Sequence, residues 1–403
     1  MVNSLLGRTS GIVLGWLCPR LTQLHEPQSM PNLIAAASAA LFSDPRFTTY
    51  EQLEQDIDNS DLFHIAVQKS NELERKRERF ATQSALHAYL LCDPPNLALG
   101  NLHHSRVSKT TKIHSSNAEE IYSVLSAEQT PSLVLLTNNV LAKIGLSEFT
   151  LLREKTPYCL YIIQDYDCHH WYRMSVQCAL LSDVYVPGHP TTPPFVKLIC
   201  SHRLQTVPIG SIQWEKDFLL ENLPLILSKD RPVQIAGKHS LYARFPYRNK
   251  LIATFGTHFP NVGFTDTHHF HQWTQAEKLK DWTQSRFHFV APVSYDIPIR
   301  VYDALATGGI PVVPTAMAQS LHAVGITASW YEDYGAKELI NPIDAYNIWT
   351  RRCKALTDLD HYERVLQAIK TFHIDAILSQ ISDVAFSELT QRERKGNHRS
   401  IYP

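Results

Sequence analysis

Short apolar runs alternate with amphipathic, helix-like stretches along most of the chain. The apolar runs are rich in Val, Ile, Leu and Phe, a pattern typical of strands that are buried on both faces. In the first part of the chain they lie at 12–17, 62–67, 133–136 and 159–163. Helix-like patterns lie between them at 30–42 and 72–91, the second ending at Asp93-Pro94-Pro95. Strands that alternate with helices predict a parallel α/β sheet.

The stretch 96–117 breaks this rhythm, because it is polar and only weakly periodic. It holds His103, His104 and His114, and we interpret it as a long loop of the kind that often borders a site. The runs at 183–187 and 206–210 follow and are predicted to be the last strands of a first domain. A helix over 215–227 is expected to link this domain to the next.

A second α/β rhythm begins after this helix. Strands are predicted at 233–237, 287–292 and 310–314, with helices at 247–255, 299–307 and 356–381. The predicted fold class is therefore α/β, with two Rossmann-like domains that face a cleft. We expect an N-terminal acceptor-side domain at 1–210, a C-terminal donor domain at 211–375, and a helix and tail at 376–403.

Composition narrows the class of protein. Hydrophobic residues make up 44% of the 403 residues, so the bulk of the chain can form cores and is not disordered. Lys and Arg total 38 against 39 Asp and Glu, a balance that argues against a nucleic-acid partner. The seven cysteines are odd in number and form no C-x-x-C pair, which indicates buried thiols in a reducing, cytoplasmic location. No apolar run reaches the roughly 20 residues that span a bilayer.

The segment 287–314 contains the strongest candidate site. Its pattern is strand, polar loop, helix, glycine turn and strand, and the loop carries Ser294, Tyr295 and Asp296. In open α/β sheets, ligands bind at the carboxyl ends of the strands, where this loop is predicted to lie. The loop is therefore a candidate ligand-binding segment.

The helix after this loop begins with an unfavourable charge. Arg300 falls in its first turn, where a cation opposes the helix dipole unless it meets an anion such as phosphate. Asp303 lies three residues later on about the same face and can accept hydrogen bonds from ribose or sugar hydroxyls. The alternative is an ordinary βαβ unit in which Arg300 and Asp303 pair with each other.

This helix and the following strand resemble the donor-binding motif of GT-B glycosyltransferases, which reads roughly R-x-x-E-A-L-A-x-G-x-I-P-V-V. The matching positions are Arg300, Asp303, Ala304, Leu305, Ala306, Gly308, Ile310, Pro311, Val312 and Val313. Exostosin-like and group 1-like bacterial transferases resemble it most. The chain departs from the motif at Asp303, where the family has Glu, and the paired glutamates of retaining members would fall at Tyr295 and Asp303.

The resemblance implies a function. It implies transfer of a sugar from a nucleotide sugar to a glycan or lipid-linked acceptor, in bacterial surface polysaccharide synthesis (lipopolysaccharide, O-antigen or capsule). It further implies no cofactor and no required metal, and it leaves peripheral association with the inner membrane open. The sugar, the nucleotide, the acceptor and the stereochemical outcome stay undetermined at this point.

A second segment is similar to the opening of the same family's donor domain, a strand and glycine followed by Y-P-x-R. Gly237 ends the predicted strand and permits close approach of the backbone to a ligand. Lys238, Arg244, Arg248 and Lys250 follow and can neutralise a departing diphosphate. The alternative is a solvated helix face with scattered basic residues.

A third cluster follows the strand at 159–163. It contains Asp165, Asp167, His169 and His170, on the side where an acceptor hydroxyl requires a base. A histidine oriented by a carboxylate, a carboxylate base and a carboxylate nucleophile are all open readings. A metal site and a structural turn are the alternatives.

Two histidine features carry further alternatives. His189-Pro190 is similar to a motif of transferases that use CMP-activated acids such as Kdo or sialic acid, in which the histidine meets the phosphate. The segment 266–271 has three histidines and is interpreted as a polar surface loop, with acceptor contact as the alternative. A non-catalytic nucleotide- or glycan-binding scaffold and a metal-dependent hydrolase complete the competing functions.

Overall fold

The computed structural model describes residues 62–92, 95–166, 172–190, 207, 212–243, 245–265, 272–293 and 296–390. Within these ranges the chain forms two parallel five-stranded sheets, one after the other along the sequence. The predicted α/β class is confirmed, and the two sheets are compatible with two Rossmann-like domains.

The first sheet uses the short apolar runs of the first half. Its strands are β1 (Leu86–Leu91), β2 (Val107–Ile113), β3 (Ser132–Thr137), β4 (Cys159–Asp165) and β5 (Val184–Pro187), in the order β2-β1-β3-β4-β5 with all neighbours parallel. The helices are α1 (Leu62–Ala81), α2 (Ala118–Leu125), α3 (Asn138–Ile144), α4 (Leu146–Lys155) and α5 (Tyr172–Leu181). A short 3₁₀ helix spans Pro95–Leu99.

Both faces of this sheet are covered, as the continuous apolar runs require. Along β1, Leu86 and Leu90 face the layer that contains α1, while Tyr89 and Leu91 face the layer of α2 to α5. All six residues of β1 are buried, and so are all six of β3. The first half therefore has two hydrophobic cores, one on each side of the sheet.

The second half repeats this plan. Its strands are β6 (Val233–His239), β7 (Val262–Phe264), β8 (Ser285–Phe289), β9 (Ile310–Pro314) and β10 (Glu332–Tyr334), in the parallel order β7-β6-β8-β9-β10. Its helices are α6 (Lys216–Glu221), α7 (Leu223–Ile226), α8 (Pro246–Gly256), α9 (Gln275–Thr283), α10 (Ile299–Ala306), α11 (Ala318–Ala323), α12 (Ala336–Ile340), α13 (Pro342–Ala355) and α14 (Asp358–Phe372). Short 3₁₀ helices span Thr315–Met317 and Ala328–Trp330.

The last described helix, α15 (Ile374–Thr390), returns to the first half. Ile377, Leu378 and Ile381 belong to the core that covers one face of the first sheet. The Asn101 amide donates to the Asp375 carboxylate at 2.6 Å at the start of this helix. The predicted domain boundary near 210 falls among residues outside the described ranges, and the boundaries stay a prediction.

Three predictions from the sequence pattern are wrong. The run at 62–67 is the start of α1 rather than a strand, because the apolar residues belong to a 20-residue helix. The stretch 72–91 divides between that helix and β1. The stretch 96–117 contains β2, an edge strand with a mostly polar, partly exposed sequence, rather than one long loop.

The linking helix at 215–227 is present as two short helices, α6 and α7.

Two further observations concern the ends and the membrane. The predicted strand at 12–17, the helix at 30–42 and the strand at 206–210 lie in segments that the structure leaves undescribed, apart from Val207. In the described part of the chain, no helix combines the length and hydropathy needed to cross a bilayer.

Candidate functional site

Each sheet has a point where its strand order reverses. In the first sheet β1 lies between β2 and β3, and in the second sheet β6 lies between β7 and β8. The connections that leave β1 and β3 therefore run in opposite directions along the sheet, as do those that leave β6 and β8. Ligands of open parallel sheets bind outside the carboxyl ends of the strands at such points. The residues that follow β6 and β8 are therefore the first candidates in the second half.

A buried arginine bridges the loops that follow β6 and β8. The first turn of α8 carries Arg248, whose Nε donates to the Ala291 carbonyl at 2.8 Å and whose Nη1 donates to the Ser240 carbonyl at 2.8 Å. Its guanidinium lies 4.9 Å from the centre of the Tyr242 ring. Burial lowers the pKa of Arg248 from its usual value. Arg248 thus connects the segments that follow β6 and β8 from a buried position.

His239 ends β6 and completes this bridge. Its Nε2 lies 3.1 Å from the Phe289 carbonyl, so this nitrogen carries the proton, and its Nδ1 lies 3.4 Å from an Arg248 nitrogen. Burial and the charges of Arg300 and Arg248 hold the pKa of His239 well below its usual range. The ring is therefore a neutral link between the two strand ends.

Gly237 and Lys238 lie in the strand itself. Gly237 is buried, and a Cβ at this position would come within 3.0 Å of the Phe289 Cβ and 3.3 Å of its carbonyl. The close approach that the glycine allows is therefore to the neighbouring strand β8. The side chain of Lys238 is exposed, and its carbonyl accepts a hydrogen bond from Arg300.

Arg300 lies in the first turn of α10, as the sequence predicts. The helix begins at Ile299 after Pro298, whose fixed backbone conformation suits a helix start. Among the described residues, the half-buried guanidinium contacts the Lys238 carbonyl and the Trp282 ring, whose centre is 5.0 Å away, rather than a carboxylate. Burial lowers the pKa of Arg300 to about 10. Asp303 and Asp281 partly offset this shift from a distance, but among the described residues no carboxylate bonds to the guanidinium. A partly dehydrated cation of this kind is suited to binding an anion.

Trp282 was not a sequence candidate, although it positions Arg300. It belongs to α9 and stacks on the buried His288 with 4.6 Å between ring centres. Burial and the nearby Arg300 hold the pKa of His288 well below its usual range. Arg300 therefore rests on an uncharged aromatic stack.

Asp303 has a different partner from the one expected. Its carboxylate accepts hydrogen bonds at 3.0 Å from the backbone amide and at 3.0 Å from the side-chain amide of Gln213. It does not form the ion pair with Arg300 that was the alternative reading. Asp303 is 2% exposed, and burial raises its pKa to about 7. Gln213 precedes α6, so this contact ties α10 to the segment that connects the two halves.

The first-half cluster is only partly described. Asp165 ends β4, is fully buried, and accepts a hydrogen bond at 2.8 Å from the Tyr185 hydroxyl. The amide of Gly188 donates to the Asp165 carbonyl at 2.8 Å. Asp165 is thus buried at the carboxyl end of β4. Its catalytic role stays a prediction.

Other predicted site residues lie outside the described ranges. These are Asp167, His169, His170, Ser294 and Tyr295, together with Arg244 and the histidine-rich segment 266–271. Asp296 is described, is half-buried, and donates its amide to the Val293 carbonyl at 3.2 Å. Among the described residues, no three His, Cys, Asp or Glu side chains are grouped to hold a metal ion.

His189 follows β5 and is fully buried. Its Nε2 lies 2.9 Å from the Tyr166 carbonyl, and its Nδ1 accepts a hydrogen bond at 3.3 Å from the amide of Ile297 in the second half. Both ring nitrogens are therefore occupied, and neither is open to a phosphate group. This geometry gives no support to the CMP-sugar alternative.

A cavity of about 330 Å³ lies at the opposite edge of the second sheet. It is lined in part by Ile310 and Glu332, the first residues of β9 and β10. Because ligands of such sheets bind at the carboxyl edge, this cavity is not part of the candidate site.

The chain was compared with protein families, curated proteins and solved structures. No protein-family model matches the chain, and no curated protein matches it. A solved structure described as the crystal structure of the GtfA/B complex is similar, with 11% sequence identity and a TM-score of 0.36. The similarity covers 66% of this chain and 60% of that chain, so the match spans less than two thirds of that protein's length. A similarity of this size does not show a shared activity.

Proposed function

We propose that the chain is a GT-B-type glycosyltransferase that moves a sugar from a nucleotide sugar to a glycan or lipid-linked acceptor. The observation that carries the proposal is Arg300, a half-buried cation with no described carboxylate partner, in the first turn of α10 at the carboxyl edge of the second sheet. Helix amides and a guanidinium at one point form a site for a diphosphate.

In this proposal the second half binds the donor. Arg300 and the amides at the start of α10 hold the diphosphate and stabilise the charge that develops as the sugar leaves. Arg248 and His239 fix the strand-end loops that border the donor. Basic groups then carry the leaving charge, and the reaction requires no metal.

The first half supplies the acceptor side. A base from the cluster Asp165, Asp167, His169 and His170 removes the proton of the acceptor hydroxyl as it attacks the sugar. Closure of the two halves aligns the reactants and excludes water. We place the reaction in the cytoplasm, in the synthesis of a bacterial surface polysaccharide.

Nucleotide binding by Arg300→Ala tests the donor site. Calorimetric titrations with UDP, GDP, CMP and dTDP identify the nucleotide that wild-type protein binds. For that nucleotide, loss of Arg300 is expected to raise the Kd about tenfold or more, because one charge-assisted contact is removed. Lys280→Ala, an exposed cation in α9, is the matched control and leaves the Kd unchanged. Equal affinity of Arg300→Ala and the control for every nucleotide contradicts the proposal.

Turnover by Asp167→Asn and His170→Ala tests the base. If either group moves the acceptor proton, its variant loses about a hundredfold or more in kcat while nucleotide binding persists. Wild-type turnover in both variants removes these two residues from the mechanism.

A further inference from the structure

One fully buried side chain joins the two carboxyl edges. His189 follows β5 of the first sheet, and its two ring nitrogens bond to opposite halves, to the Tyr166 carbonyl at 2.9 Å and to the Ile297 amide at 3.3 Å. The chain itself also links the halves where α14, which packs in a core of the second half, is followed by α15, which packs against the first sheet. His189 therefore connects the edges on which the candidate site depends.

The two partners fix the state of the ring. A carbonyl only accepts, so Nε2 must carry a proton and donate it to Tyr166; an amide only donates, so Nδ1 must offer its lone pair to Ile297. A neutral imidazole with the proton on Nε2 satisfies both partners at once. Because the residue is 0% exposed, water cannot replace either bond.

The two bonds end at residues next to the candidate chemistry. Tyr166 directly follows Asp165, and its amide donates to the Asn138 side-chain oxygen at 3.1 Å. Ile297 lies three residues before Arg300 and follows Asp296. A short path of covalent and hydrogen bonds thus runs from the first-half cluster to the cation of the second half.

We propose that His189 is a positioning residue that sets the separation between the carboxyl end of β4, at Asp165 and Tyr166, and the start of α10. The consequence for sugar transfer rests on the proposed function, whereas the hydrogen bonds themselves do not. Loss of this bond frees Ile297 and lets the carboxyl end of β4 and the start of α10 drift apart, which slows a reaction that depends on alignment.

Two substitutions of similar size separate the two bonds. In His189→Gln the side-chain amide nitrogen replaces Nε2 and retains the bond to Tyr166, whereas His189→Asn places an oxygen near the position of Nδ1 and retains the bond to Ile297. Hydrogen exchange of the full chain, without ligand, measures the Ile297 amide. We expect exchange in His189→Gln to be about tenfold faster than in wild type, because one buried bond is lost. His189→Asn stays within about threefold of wild type. Wild-type exchange in His189→Gln, or equal exchange in the two variants, overturns the proposal.

A spectroscopic measurement on wild-type protein covers the case in which a variant does not fold. The ¹⁵N shifts of the His189 ring at neutral pH should show a protonated Nε2 and an unprotonated Nδ1. A ring with the proton on Nδ1, or with protons on both nitrogens, overturns the proposal without any substitution.

Kinetics separate this proposal from the proposed function. With the nucleotide sugar identified by the titrations, His189→Gln should lower kcat about tenfold while the nucleotide Kd stays within about twofold. An unchanged kcat in the presence of faster Ile297 exchange overturns the positioning role and leaves the glycosyltransferase assignment intact. If wild-type protein binds no nucleotide but the exchange pattern is as expected, the proposed function is contradicted, and with it the role of His189 in sugar transfer. The hydrogen bond between His189 and Ile297 is then still supported.

Discussion

The two halves share one strand order but carry different ionisable groups at their carboxyl edges. The described edge of the first sheet holds the buried carboxyl group of Asp165, bonded to the Tyr185 hydroxyl. The edge of the second sheet holds the guanidinium groups of Arg248 and Arg300 beside neutral His239. Topology therefore places a crevice in each half, and the side chains decide which ligand each can take.

The amino edges of the two sheets also differ in their buried charged groups. In the first half, buried Asp183 accepts hydrogen bonds from Lys76 at 2.8 Å and from Arg153 at 3.1 Å. In the second half, buried Arg231 donates to the backbone, including the Thr307 carbonyl at 2.9 Å at the end of α10. One half closes this edge with an ion network and the other with a cation that caps helix carbonyls.

Removal of Asp183 should have the largest effect on stability. Asp183→Ala leaves Lys76 and Arg153 without their buried anion, and we expect a loss of about 3–5 kcal/mol in urea unfolding. Glu72→Gln is the matched control, because the Glu72 side chain contacts the same two cations but is 42% exposed. The control should lose less than about 1 kcal/mol. Similar losses for both variants would show that the buried carboxylate of Asp183 stabilises the fold no more than the exposed carboxylate of Glu72.

The interior strands were predictable because each reads as a continuous apolar run. β3, β4, β8 and β9 were found in this way, since both of their faces are buried. No strand was predicted at β2, β7 or β10, all of which are edge or near-edge strands with polar or very short sequences. β1 was assigned to a helix because the residues between α1 and β1 contain neither Gly nor Pro.

The site was predictable where a residue's role depends on its own element. The position of Arg300 in a first helical turn follows from Pro298 and the periodicity of the segment. Trp282 and Gln213 could not be found, because their contacts with Arg300 and Asp303 join distant parts of the chain and leave no spacing signal. His239 had a usable signal, since it is a polar residue two positions after the predicted strand at 233–237.

Buried aspartates in the two halves titrate in opposite directions. Burial alone raises the pKa of Asp183, but Arg153 and Lys76 outweigh it and hold that pKa below its usual value. Asp303 accepts hydrogen bonds from the two amides of Gln213, and these bonds and the charge of Arg300 lower its pKa, but burial outweighs them and raises the pKa to about 7. The folded state therefore binds the Asp303 proton more tightly than the unfolded chain, in which the pKa is about 4.

Stability should consequently fall as pH rises past the unfolded pKa of Asp303, and level off above about pH 7. Between pH 5 and pH 8 we expect a decrease of about 2–3 kcal/mol in the free energy of unfolding from this group. Urea titrations at both pH values measure it, and Asp303→Asn should remove the difference. A wild-type slope retained in Asp303→Asn assigns the pH dependence to other groups.

Arg231 should contribute less than Asp183, because it serves backbone carbonyls rather than charges. Its Nη1 donates to the Ser285 carbonyl at 2.9 Å, and its Nη2 donates to those of Ile226 and Thr307. Arg231→Gln leaves buried carbonyls without donors, and we expect a loss of about 2 kcal/mol. The control is Lys229→Gln, a 73% exposed cation two residues away, which should lose less than about 0.5 kcal/mol. Equal thermal stabilities of these two variants would contradict the capping role.

The smallest effect concerns the hydroxyl that faces Asp165 at the first carboxyl edge. Tyr185→Phe removes the 2.8 Å bond to this carboxyl group. If Asp165 is ionised, we expect a loss of about 1.5 kcal/mol, because hydrogen bonds to charged groups contribute more than neutral ones. Tyr158→Phe is the control, since that hydroxyl donates to the neutral Leu125 carbonyl at 3.2 Å and its removal should cost about half as much. Equal losses in urea unfolding would mean that Asp165 accepts the bond as a neutral group. The two carboxyl edges would then differ in shape and in the number of cations, and the first edge would hold no negative charge at Asp165 to complement the arginines of the second.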